Sequence, residues 1–581
     1  MISLTKRASA QLLACLIAFA PLAAAAQDAR RGPYQPAHET ARPVMARQGM
    51  VVGQEKLATR AGAAILAKGG NAIDAAVATG FAMAVTYPRA GNIGGGGFMV
   101  IHLADKNESI AIDYRETAPA AATRDMFLGT DGKPDNAKSR DSALGIGVPG
   151  TVAGLTLALQ RYGSGKFTLA ELLAPAIALA RDGFIVTDDS ADTFASWHPR
   201  LARWPSTLRV LARPDGTALR EGDKLVQSDL AATLAAIAER GPAGFYEGPV
   251  AEKLAAGIRE AGGIITTDDL RTYRAAIRQP VRGSYRGYDF VSMPLPSSGG
   301  TVLVEALNIL EGYDLGTMGA ASADTLHLLT EALKRGYADR ARYLGDPAFV
   351  NAPLTRLLDK DYAKQMRASI RMDRATPAAE LAAPPAPREG SNTTHYSVID
   401  QFGNAVSNTY TLNFSYGVGL VADGTGVLLN NELDDFTAAP GAANAFGLIG
   451  YEANLPGPGK RPLSSMTPTI VLKDKKPVLI TGSPGGSRII SAVLQVIVNT
   501  IDHKMNAASA VAAPRLHHQW MPDQLYIERG FTDETIAALK ARGHVINDRL
   551  GQTSANSIAV TPEGIAGAPD PRTRGAEAAG H

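Results

Sequence analysis

The spacing of apolar and polar positions predicts both helices and strands along this chain. Between residues 55 and 87, apolar side chains recur near the 3.6-residue helical period, with a break at Gly69. Residues 108–116 alternate between apolar and polar side chains instead, which predicts a strand. Residues 150–350 have a mostly helical pattern, as in 169–181. The pattern therefore predicts an α/β protein, and it shows no repeat of fixed length.

The character of the chain changes at residues 375–388, which contain four prolines and many alanines. Such a segment builds neither a helix nor a central strand, so we predict an exposed, flexible tether over residues 375–392. A strand pattern follows at residues 394–399, and after a turn residues 405–412 run back as a second strand. Two adjacent threonines lie where the tether meets this hairpin, and the location fits a break in the chain.

Composition excludes several classes of protein. Of the 581 residues 45% are hydrophobic and 20% are charged, which is typical of a large globular enzyme and not of a disordered or fibrous chain. The net charge is only +2 and no run of like charges occurs, so we expect no nucleic-acid partner. The ten histidines have no metal-binding spacing. We therefore predict no metal site and no cofactor.

The first 26 residues have the pattern of a secretory signal. Lys6 and Arg7 precede a short apolar run that ends in small residues at Ala26. The run is too short for a comfortable membrane span, and no other long apolar segment follows. Cys15, the only cysteine, could mark a lipoprotein site, but the apolar run continues past it, which favours simple cleavage near Ala26. We predict a soluble product without disulfides in the periplasm or outside the cell.

The adjacent threonines suggest one kind of chemistry. A threonine hydroxyl is a poor nucleophile unless a base lies beside it. If the chain is cut between Asn392 and Thr393, the freed α-amine, with a reference pKa of about 7.7–8.0, can act as that base. In the uncut chain, the Thr393 hydroxyl would attack the Asn392 carbonyl, and hydrolysis of the ester would release the amine. Taken alone, two threonines in a strand are usually structural.

Several short sequence blocks elsewhere in the chain indicate a function for the two threonines. They are residues 91–98, 113–116, 296–300, 343–347, 393–397, 409–413, 429–436, 461–466 and 482–488. In this order, and over nearly the whole mature chain, they resemble gamma-glutamyltransferases of the bacterial periplasmic type. The resemblance implies the N-terminal-nucleophile hydrolase fold, an αββα sandwich of two stacked sheets between helical layers. It also implies self-cleavage into a large subunit, residues 27–392, and a small catalytic subunit, residues 393–581, which stay associated as a heterodimer.

The resemblance implies that Thr393 attacks the γ-amide carbonyl of glutathione or a related γ-glutamyl compound. Thr411 matches the residue that hydrogen-bonds the nucleophile. Gly485 and Gly486 match the oxyanion hole, in which backbone N–H groups meet the developing negative oxygen. Water then hydrolyses the glutamyl-enzyme, whereas an amino acid or a peptide amine accepts the glutamyl group.

Six further positions match the substrate-binding residues of the family. These positions are Arg115, Asn413, Glu432, Asp435, Ser464 and Ser465. A planar guanidinium and two hydroxyls suit the α-carboxylate of a glutamyl group. The amide and the two carboxyl groups suit its ammonium.

Two positions depart from the pattern of many bacterial relatives. Glu432 stands where those relatives often have glutamine, which alters the charge near the ammonium. Phe446 lies in residues 440–460, which resemble the lid of bacterial members, where a tyrosine often bonds the equivalent of Asn413. Phenylalanine cannot make this bond, so we predict a more mobile lid.

Two other functions remain open at this point. A cephalosporin acylase of the same superfamily takes a glutaryl group, which lacks the ammonium, and Asp435 would then face no positive partner. A periplasmic binding protein for amino acids or peptides would need no chain break.

Overall fold

A computed structural model describes residues 40–381, 393–444 and 447–581. The predicted signal at residues 1–26, Asn392 of the predicted cleavage site and Phe446 of the predicted lid lie outside the described residues. The strands before residue 381 are β1 (Val44–Ala46), β2 (Met50–Gly53), β3 (Gly96–Leu103), β4 (Glu108–Tyr114), β5 (Phe184–Ile185), β6 (Lys224–Leu225), β7 (Ala276–Arg278), β8 (Val281–Tyr285) and β9 (Tyr288–Ser292). Those after residue 393 are β10 (Thr394–Ile399), β11 (Ala405–Thr411), β12 (Val421–Ala422), β13 (Val427–Leu428), β14 (Thr469–Lys473), β15 (Lys476–Thr481), β16 (Leu516–His517), β17 (Leu525–Ile527), β18 (Ile546–Asn547), β19 (Ser557–Thr561), β20 (Gly564–Ala568) and β21 (Glu577–Gly580).

Most of the helices precede residue 381. They are α1 (Lys56–Ala67), α2 (Ala72–Thr86), α3 (Asn136–Arg140), α4 (Thr151–Tyr162), α5 (Leu169–Asp182), α6 (Asp188–Leu201), α7 (Pro205–Leu211), α8 (Ser228–Arg240), α9 (Ala243–Tyr246), α10 (Gly248–Glu260), α11 (Thr267–Thr272), α12 (Gly299–Leu310), α13 (Leu315–Met318), α14 (Ala323–Tyr343), α15 (Leu354–Leu357) and α16 (Lys360–Ala368). Three more follow in the second part: α17 (Arg488–Ile501), α18 (Ala507–Ala512) and α19 (Asp533–Ala541).

Two seven-stranded sheets form the centre of the molecule. Their strand orders are β1-β20-β19-β15-β14-β9-β8 and β21-β2-β10-β11-β3-β4-β7. In the second sheet, β10 and β11 form the predicted antiparallel hairpin, and they lie between β2 and β3 of the other part of the chain. Both sheets therefore mix strands from the two sides of the predicted cleavage site.

The alternating direction of side chains along the strands explains why helices cover both sheets. In β2, Val51 packs into a core with α1, α2 and the helices that follow, whereas its neighbours Met50 and Val52 face the first sheet. In β3, Met99 packs into the same core as Val51, whereas Phe98 packs into the same core as Met50 and Val52. Side chains on successive strand residues point to opposite faces, so a strand that is buried on both faces joins two cores.

The local elements follow the sequence pattern closely. The predicted helical stretch 55–87 forms α1 and α2, separated at Gly69 and Gly70, and an Asn71 capping box begins the second helix. The predicted strand 108–116 is β4. A side-chain capping box at Thr168 begins α5 at Leu169, as the helical pattern predicts.

The first part of the predicted tether differs from the prediction. Residues 375–381 are docked on the body, and they include a short 3₁₀ turn, Ala378–Glu380, although we predicted an exposed segment without helix. Ala378 is buried because its small side chain joins the second core, and its carbonyl accepts a hydrogen bond from the Trp520 indole at 2.9 Å. Pro377 precedes the turn, where a proline breaks no helical hydrogen bond. Residues 382–392 lie outside the described part of the chain.

None of the helices in the described ranges has the combined length and apolar character of a membrane span.

Candidate active site

Thr393 directly precedes β10 in the centre of the second sheet, and it is buried. Its hydroxyl lies 3.4 Å from the Thr411 hydroxyl at the end of β11, so the two predicted partners meet. The Thr411 hydroxyl also accepts the Asn413 backbone N–H at 2.8 Å. Asn413 has a positive φ of 74°, which turns the chain sharply at this point. The hairpin register and this turn therefore bring three of the predicted residues together.

One cavity collects nearly all the predicted site residues. The predicted residues among its lining are Arg115, Thr393, Thr411, Asn413, Glu432, Asp435, Ser464, Ser465 and Gly486. Leu448, Met466, Ser487 and Ile489 complete the wall. Among the predicted site residues that the structure describes, only Gly485 does not line the cavity, and it lies next to Gly486 in the chain.

Arg115 follows β4 and connects the two predicted carboxylates. Its guanidinium donates to Glu432 and to Asp435, and its Nε–H donates to the Pro462 carbonyl at 3.2 Å. Both carboxylates lie on one short 3₁₀ helix, Glu432–Asp435, which fixes their spacing. All three side chains are almost completely buried.

Three carboxyl groups, those of Glu116, Glu432 and Asp435, lie close to the single guanidinium of Arg115. Glu116, next to Arg115 in the chain, is fully buried beside this cluster. Burial raises the pKa of Glu116 to about 8, although the Arg115 charge opposes the shift. Burial likewise raises the pKa of Glu432 well above its usual range, again against Arg115. The cluster therefore favours an additional positive charge, whether from a proton or from an ammonium group.

Three polar atoms of the cavity wall have no hydrogen-bond partner among the described residues. They are Asn413 Oδ1, Glu432 Oε2 and Ser465 Oγ. An unsatisfied buried polar group costs about 1–3 kcal/mol, so such groups commonly mark a binding site or a strained one. Two of these atoms are acceptors, and the third is a hydroxyl that can also donate. The arrangement suits a small ligand that carries both an ammonium and a carboxylate.

Residues from the first part of the chain hold the Ser464 backbone in place. The Ser464 carbonyl accepts from the Ser298 N–H at 2.9 Å and from the Ser298 hydroxyl at 2.7 Å. The Arg340 Nε–H in turn donates to the Ser298 hydroxyl at 2.9 Å. Asn444, in the segment predicted as a lid, donates to Asp435 Oδ1 at 3.2 Å. The sequence pattern indicates no role for Ser298, Arg340 or Asn444.

The two glycines of the predicted oxyanion hole connect β15 to α17. Gly485 has a φ of 137° and Gly486 a φ of 57°, conformations that L side chains rarely adopt. A Cβ atom on Gly485 would also lie 3.0 Å from the Thr553 methyl group. Glycine at both positions therefore permits a backbone path that side chains would block.

His395 is the histidine nearest to Thr393 in the chain, but it is a poor candidate base. One ring nitrogen lies 2.8 Å from the Thr409 hydroxyl and the other 3.0 Å from the Ser397 hydroxyl. Burial lowers the pKa of His395 to about 3. A group with this pKa takes up a proton too weakly near neutral pH, so the nucleophile needs another base.

Comparison with known proteins agrees with this geometry. The family model "Gamma-glutamyltranspeptidase" matches residues 58–580. The chain belongs to the gamma-glutamyltranspeptidase family. It is 50% identical over 553 residues to a glutathione hydrolase proenzyme of Escherichia coli (strain K12), with 95% of each chain covered.

Two solved structures are similar to this gamma-glutamyltranspeptidase family member. A cephalosporin acylase from Bacillus halodurans has a TM-score of 0.82 at 29% identity, covering 93% of this chain and 97% of the other. A Helicobacter pylori gamma-glutamyltranspeptidase chain has a TM-score of 0.55 at 44% identity, covering 56% of this chain and 93% of the other. The predictions of this family, of the N-terminal-nucleophile hydrolase fold and of a glutamyl-transferring and hydrolysing enzyme are thus confirmed.

Proposed function

We propose that this protein cuts itself between Asn392 and Thr393 and then uses Thr393 as the nucleophile on glutathione or a related γ-glutamyl compound. The observation that carries the proposal is the Thr393 hydroxyl, 3.4 Å from Thr411, in one cavity with Arg115 and its two carboxylates. The freed α-amine takes the hydroxyl proton as oxygen attacks the γ-carbonyl carbon. The amide nitrogen leaves with a proton, and a glutamyl ester remains on the enzyme.

The charges of the cavity suit a glutamyl group in particular. The Arg115 guanidinium and the Ser464 and Ser465 hydroxyls bind the α-carboxylate. Asp435, Glu432 and Asn413 accept hydrogen bonds from the ammonium, which supplies the positive charge that the cluster favours. In the absence of substrate Arg115 pairs with the two carboxylates, and on binding it shares its donors with the substrate carboxylate. Backbone N–H groups at Gly485 and Gly486 meet the oxyanion.

The glutamyl ester then reacts with water or with an amine. Water completes hydrolysis, whereas the amine of an amino acid or a peptide completes transfer. The two parts, residues 27–392 and 393–581, remain a heterodimer after cleavage. This is supported by the two sheets, in which strands of the two parts are paired: β2 with β10 and β21, β3 with β11, β9 with β14, and β1 with β20. Separation would break these five described pairings.

We also propose that residues 1–26 direct the protein to the periplasm or out of the cell. The support is the sequence pattern of a charged start, a short apolar run and a small-residue end. N-terminal sequencing of the large fragment tests this, and a fragment that still begins at residue 1 would contradict it.

The central experiment compares Thr393→Ala with Thr394→Ala. The second threonine is also buried, but successive strand residues point to opposite faces, and its hydroxyl lies against the Met83 sulfur at 3.2 Å. We expect Thr393→Ala to stay in one piece and to lose more than about a thousandfold in activity on a γ-glutamyl anilide. Thr394→Ala should form both fragments, the smaller beginning at Thr393. An intact and fully active wild-type chain would overturn the proposal.

A glutaryl anilide measured in parallel tests the rival acylase function. Glutaryl lacks the ammonium, so Asp435 and Glu432 would stay without a positive partner. We expect the γ-glutamyl compound to be the better substrate by about tenfold or more, the value of one charged hydrogen bond. A preference for glutaryl would favour an acylase.

A further inference from the structure

A buried pair of acidic side chains joins α12 to α14. Glu305 lies on α12 and is completely buried, and Asp339 lies on α14 with only 8% of its surface exposed. Neither residue lines the candidate active-site cavity or takes part in the proposed reaction. Two carboxyl groups that lie close together in a protein interior do not both stay ionised without a further positive charge, so this pair needs a proton or a cation.

Close packing of the two helices brings the carboxyl groups together. Gly336 of α14 has no side chain, and a Cβ atom there would lie 3.8 Å from Glu305 Oε2. Glycine therefore leaves room for the Glu305 carboxyl against α14. This carboxyl lies within hydrogen-bonding reach of the Asp339 carboxyl, about one turn further along the same helix.

The hydrogen bonds around the pair differ between its two members. Tyr362 of α16 donates its hydroxyl hydrogen to Asp339 Oδ2 at 2.6 Å, which suits a carboxylate at Asp339. Neither Glu305 oxygen accepts a hydrogen bond from the described residues. An ionised Glu305 would therefore be a buried charge without a hydrogen bond, whereas a protonated Glu305 can donate its own hydrogen to Asp339.

The charges near Glu305 favour the same assignment. Burial raises the pKa of Glu305 well above its usual range, and the Asp339 charge and the hydrogen bond between the two groups raise it further. The cation that opposes this shift is Arg356 of α15, which lies over the Tyr362 ring at 4.6 Å. Because Arg356 is exposed, water screens its charge, and the opposing effect is small.

A metal ion in place of the proton would find few ligands at this pair. In the described part of the chain, three or more acidic, histidine or cysteine side chains with metal-binding spacing converge only at His327, Glu331 and His544. Glu305 and Asp339 offer two carboxyls, whereas Ca²⁺ and Mg²⁺ take about six or more oxygen ligands. A proton satisfies the pair without any further group.

Both helices of the pair lead to the substrate-binding side of the candidate active site. Ser298 directly precedes α12, and its N–H and hydroxyl donate to the Ser464 carbonyl at 2.9 and 2.7 Å. Arg340 follows Asp339 in the chain, and its Nε–H donates to the Ser298 hydroxyl at 2.9 Å. A change in the spacing of α12 and α14 would therefore move Ser298 relative to Arg340, and Ser464 with it.

We propose that Glu305 is a positioning residue that acts as a neutral acid: it keeps its proton at neutral pH, donates it in a hydrogen bond to Asp339, and thereby fixes the two helices that hold Ser464. The consequence for the enzyme rests on the proposed function, in which Ser464 binds the α-carboxylate of the substrate. Loss of the hydrogen bond would therefore weaken substrate binding and leave the reaction at Thr393 unchanged.

Two substitutions separate the hydrogen bond from the ionisable group. Glu305→Gln keeps a donor for Asp339 but cannot ionise, so we expect KM for a γ-glutamyl anilide to stay at the wild-type value. Glu305→Leu removes the donor, so we expect KM to rise about three- to tenfold with little change in kcat, the effect of one hydrogen bond. Asn308→Leu is the matched control and should leave KM unchanged, because this buried amide of α12 donates to the Leu358 carbonyl at the end of α15.

Infrared spectroscopy of the whole protein at neutral pH measures the protonation of Glu305 directly. A protonated carboxyl has a C=O stretch well separated from that of a carboxylate, and the difference spectrum between wild type and Glu305→Gln isolates this one residue. We expect the protonated band in wild type, a result that does not depend on whether Glu305→Leu folds. Absence of the band would overturn the proposal, whether Glu305 is then ionised or holds a cation.

The kinetic results can contradict the proposal in two further ways. An equal rise in KM in Glu305→Gln and Glu305→Leu would show that the donor is not what matters, and a wild-type KM in Glu305→Leu would show that the pair positions nothing. A wild-type enzyme without activity on γ-glutamyl compounds would instead overturn the proposed function, while the infrared band would still report the state of the pair.

Discussion

Two buried ion clusters in this molecule are built from the same residue types in opposite proportions. In the candidate active site, the carboxyls of Glu432 and Asp435 surround the single guanidinium of Arg115. In a second cluster, formed by Glu331, Lys334 and Arg335 of α14, the Glu331 carboxylate contacts two cations and the Thr376 backbone N–H. The first cluster contains acceptors without partners in the described chain, whereas both Glu331 oxygens are bonded.

The difference has a physical consequence for function. An excess of buried carboxyls raises their pKa values and leaves a site that gains from binding a cation. A balanced cluster lowers the carboxylate pKa and gains nothing further from a ligand. An incomplete cluster therefore indicates binding, and a complete one indicates structure.

The largest expected effect comes from breaking the complete cluster. Glu331→Ala leaves the Lys334 and Arg335 charges buried without their carboxylate, so we expect the free energy of unfolding to fall by about 3–5 kcal/mol. Denaturant unfolding measures this, and activity per folded molecule should not change. The control is Glu252→Ala, an exposed glutamate on α10. A loss below about 1 kcal/mol would show that the two clusters do not differ in this way.

The next effect comes from the incomplete cluster. Asp435→Asn keeps the shape of the side chain but removes the charge that faces the substrate ammonium. A hydrogen bond to a charged group contributes about 1.5–3 kcal/mol, so kcat/KM for a γ-glutamyl anilide should fall about 10- to 100-fold.

Asp434→Asn provides the matched control for this substitution. It lies on the same 3₁₀ helix, but its Oδ1 accepts from Ser139 and it does not line the cavity. If it reduced kcat/KM as much as Asp435→Asn, a general disturbance of the helix would explain both results.

The two clusters should also respond to pH in opposite directions. The Glu331 pKa is lowered from 4.5 to about 2, so its contribution to stability is present above 4.5 and is lost as pH falls through about 2. The Glu116 pKa is raised from 4.5 to about 8, so its contribution is present below 4.5 and is lost as pH rises through about 8. One proton corresponds to a slope of at most about 1.4 kcal/mol per pH unit.

Thermal unfolding between pH 5 and pH 9, with and without glutamate, tests the Glu116 half of this comparison. Stability of the free enzyme should decrease toward pH 8, and glutamate should reduce the slope because its ammonium replaces the proton. Glu116→Gln should reduce the slope without ligand. A slope that neither change affects would contradict the assignment to this cluster.

The sequence predicted some of these features better than others. The β10–β11 hairpin followed from alternation, because both strands are short, regular and adjacent in the chain. The cavity residues came from family blocks rather than from pattern, and the structure brings nine of them together. Ser298 and Arg340 received no role, because each contacts the site only through a residue more than forty positions away. Nothing in a lone serine or arginine indicates such a partner.

Residues 375–381 show why composition alone misleads. Prolines and alanines at residues 375–388 predict no long helix, but they do not reveal that Ala378 is buried and accepts a hydrogen bond from the Trp520 indole. Nor do they reveal charged partners for Thr376, which lie on a distant helix and in the other part of the chain. The lid prediction at Phe446 lies outside the described residues and stays a prediction.

The smallest effect on activity is expected from a substitution of Arg340, which lies near the candidate active site but acts through Ser298. Burial lowers the pKa of Arg340 to about 10, against the opposing effect of the Asp435 carboxylate, so the group remains a cation near neutral pH. Its Nε–H holds the Ser298 hydroxyl, which in turn holds the Ser464 carbonyl. Arg340→Lys keeps the charge but loses the planar donor, so we expect KM to rise about three- to tenfold with little change in kcat, the effect of one hydrogen bond. Ser298→Ala should produce the same change, and the double variant should be no worse than either single one, because the two residues act in series. A fall in kcat without a change in KM would place Arg340 in the chemical step instead of in the positioning of Ser464.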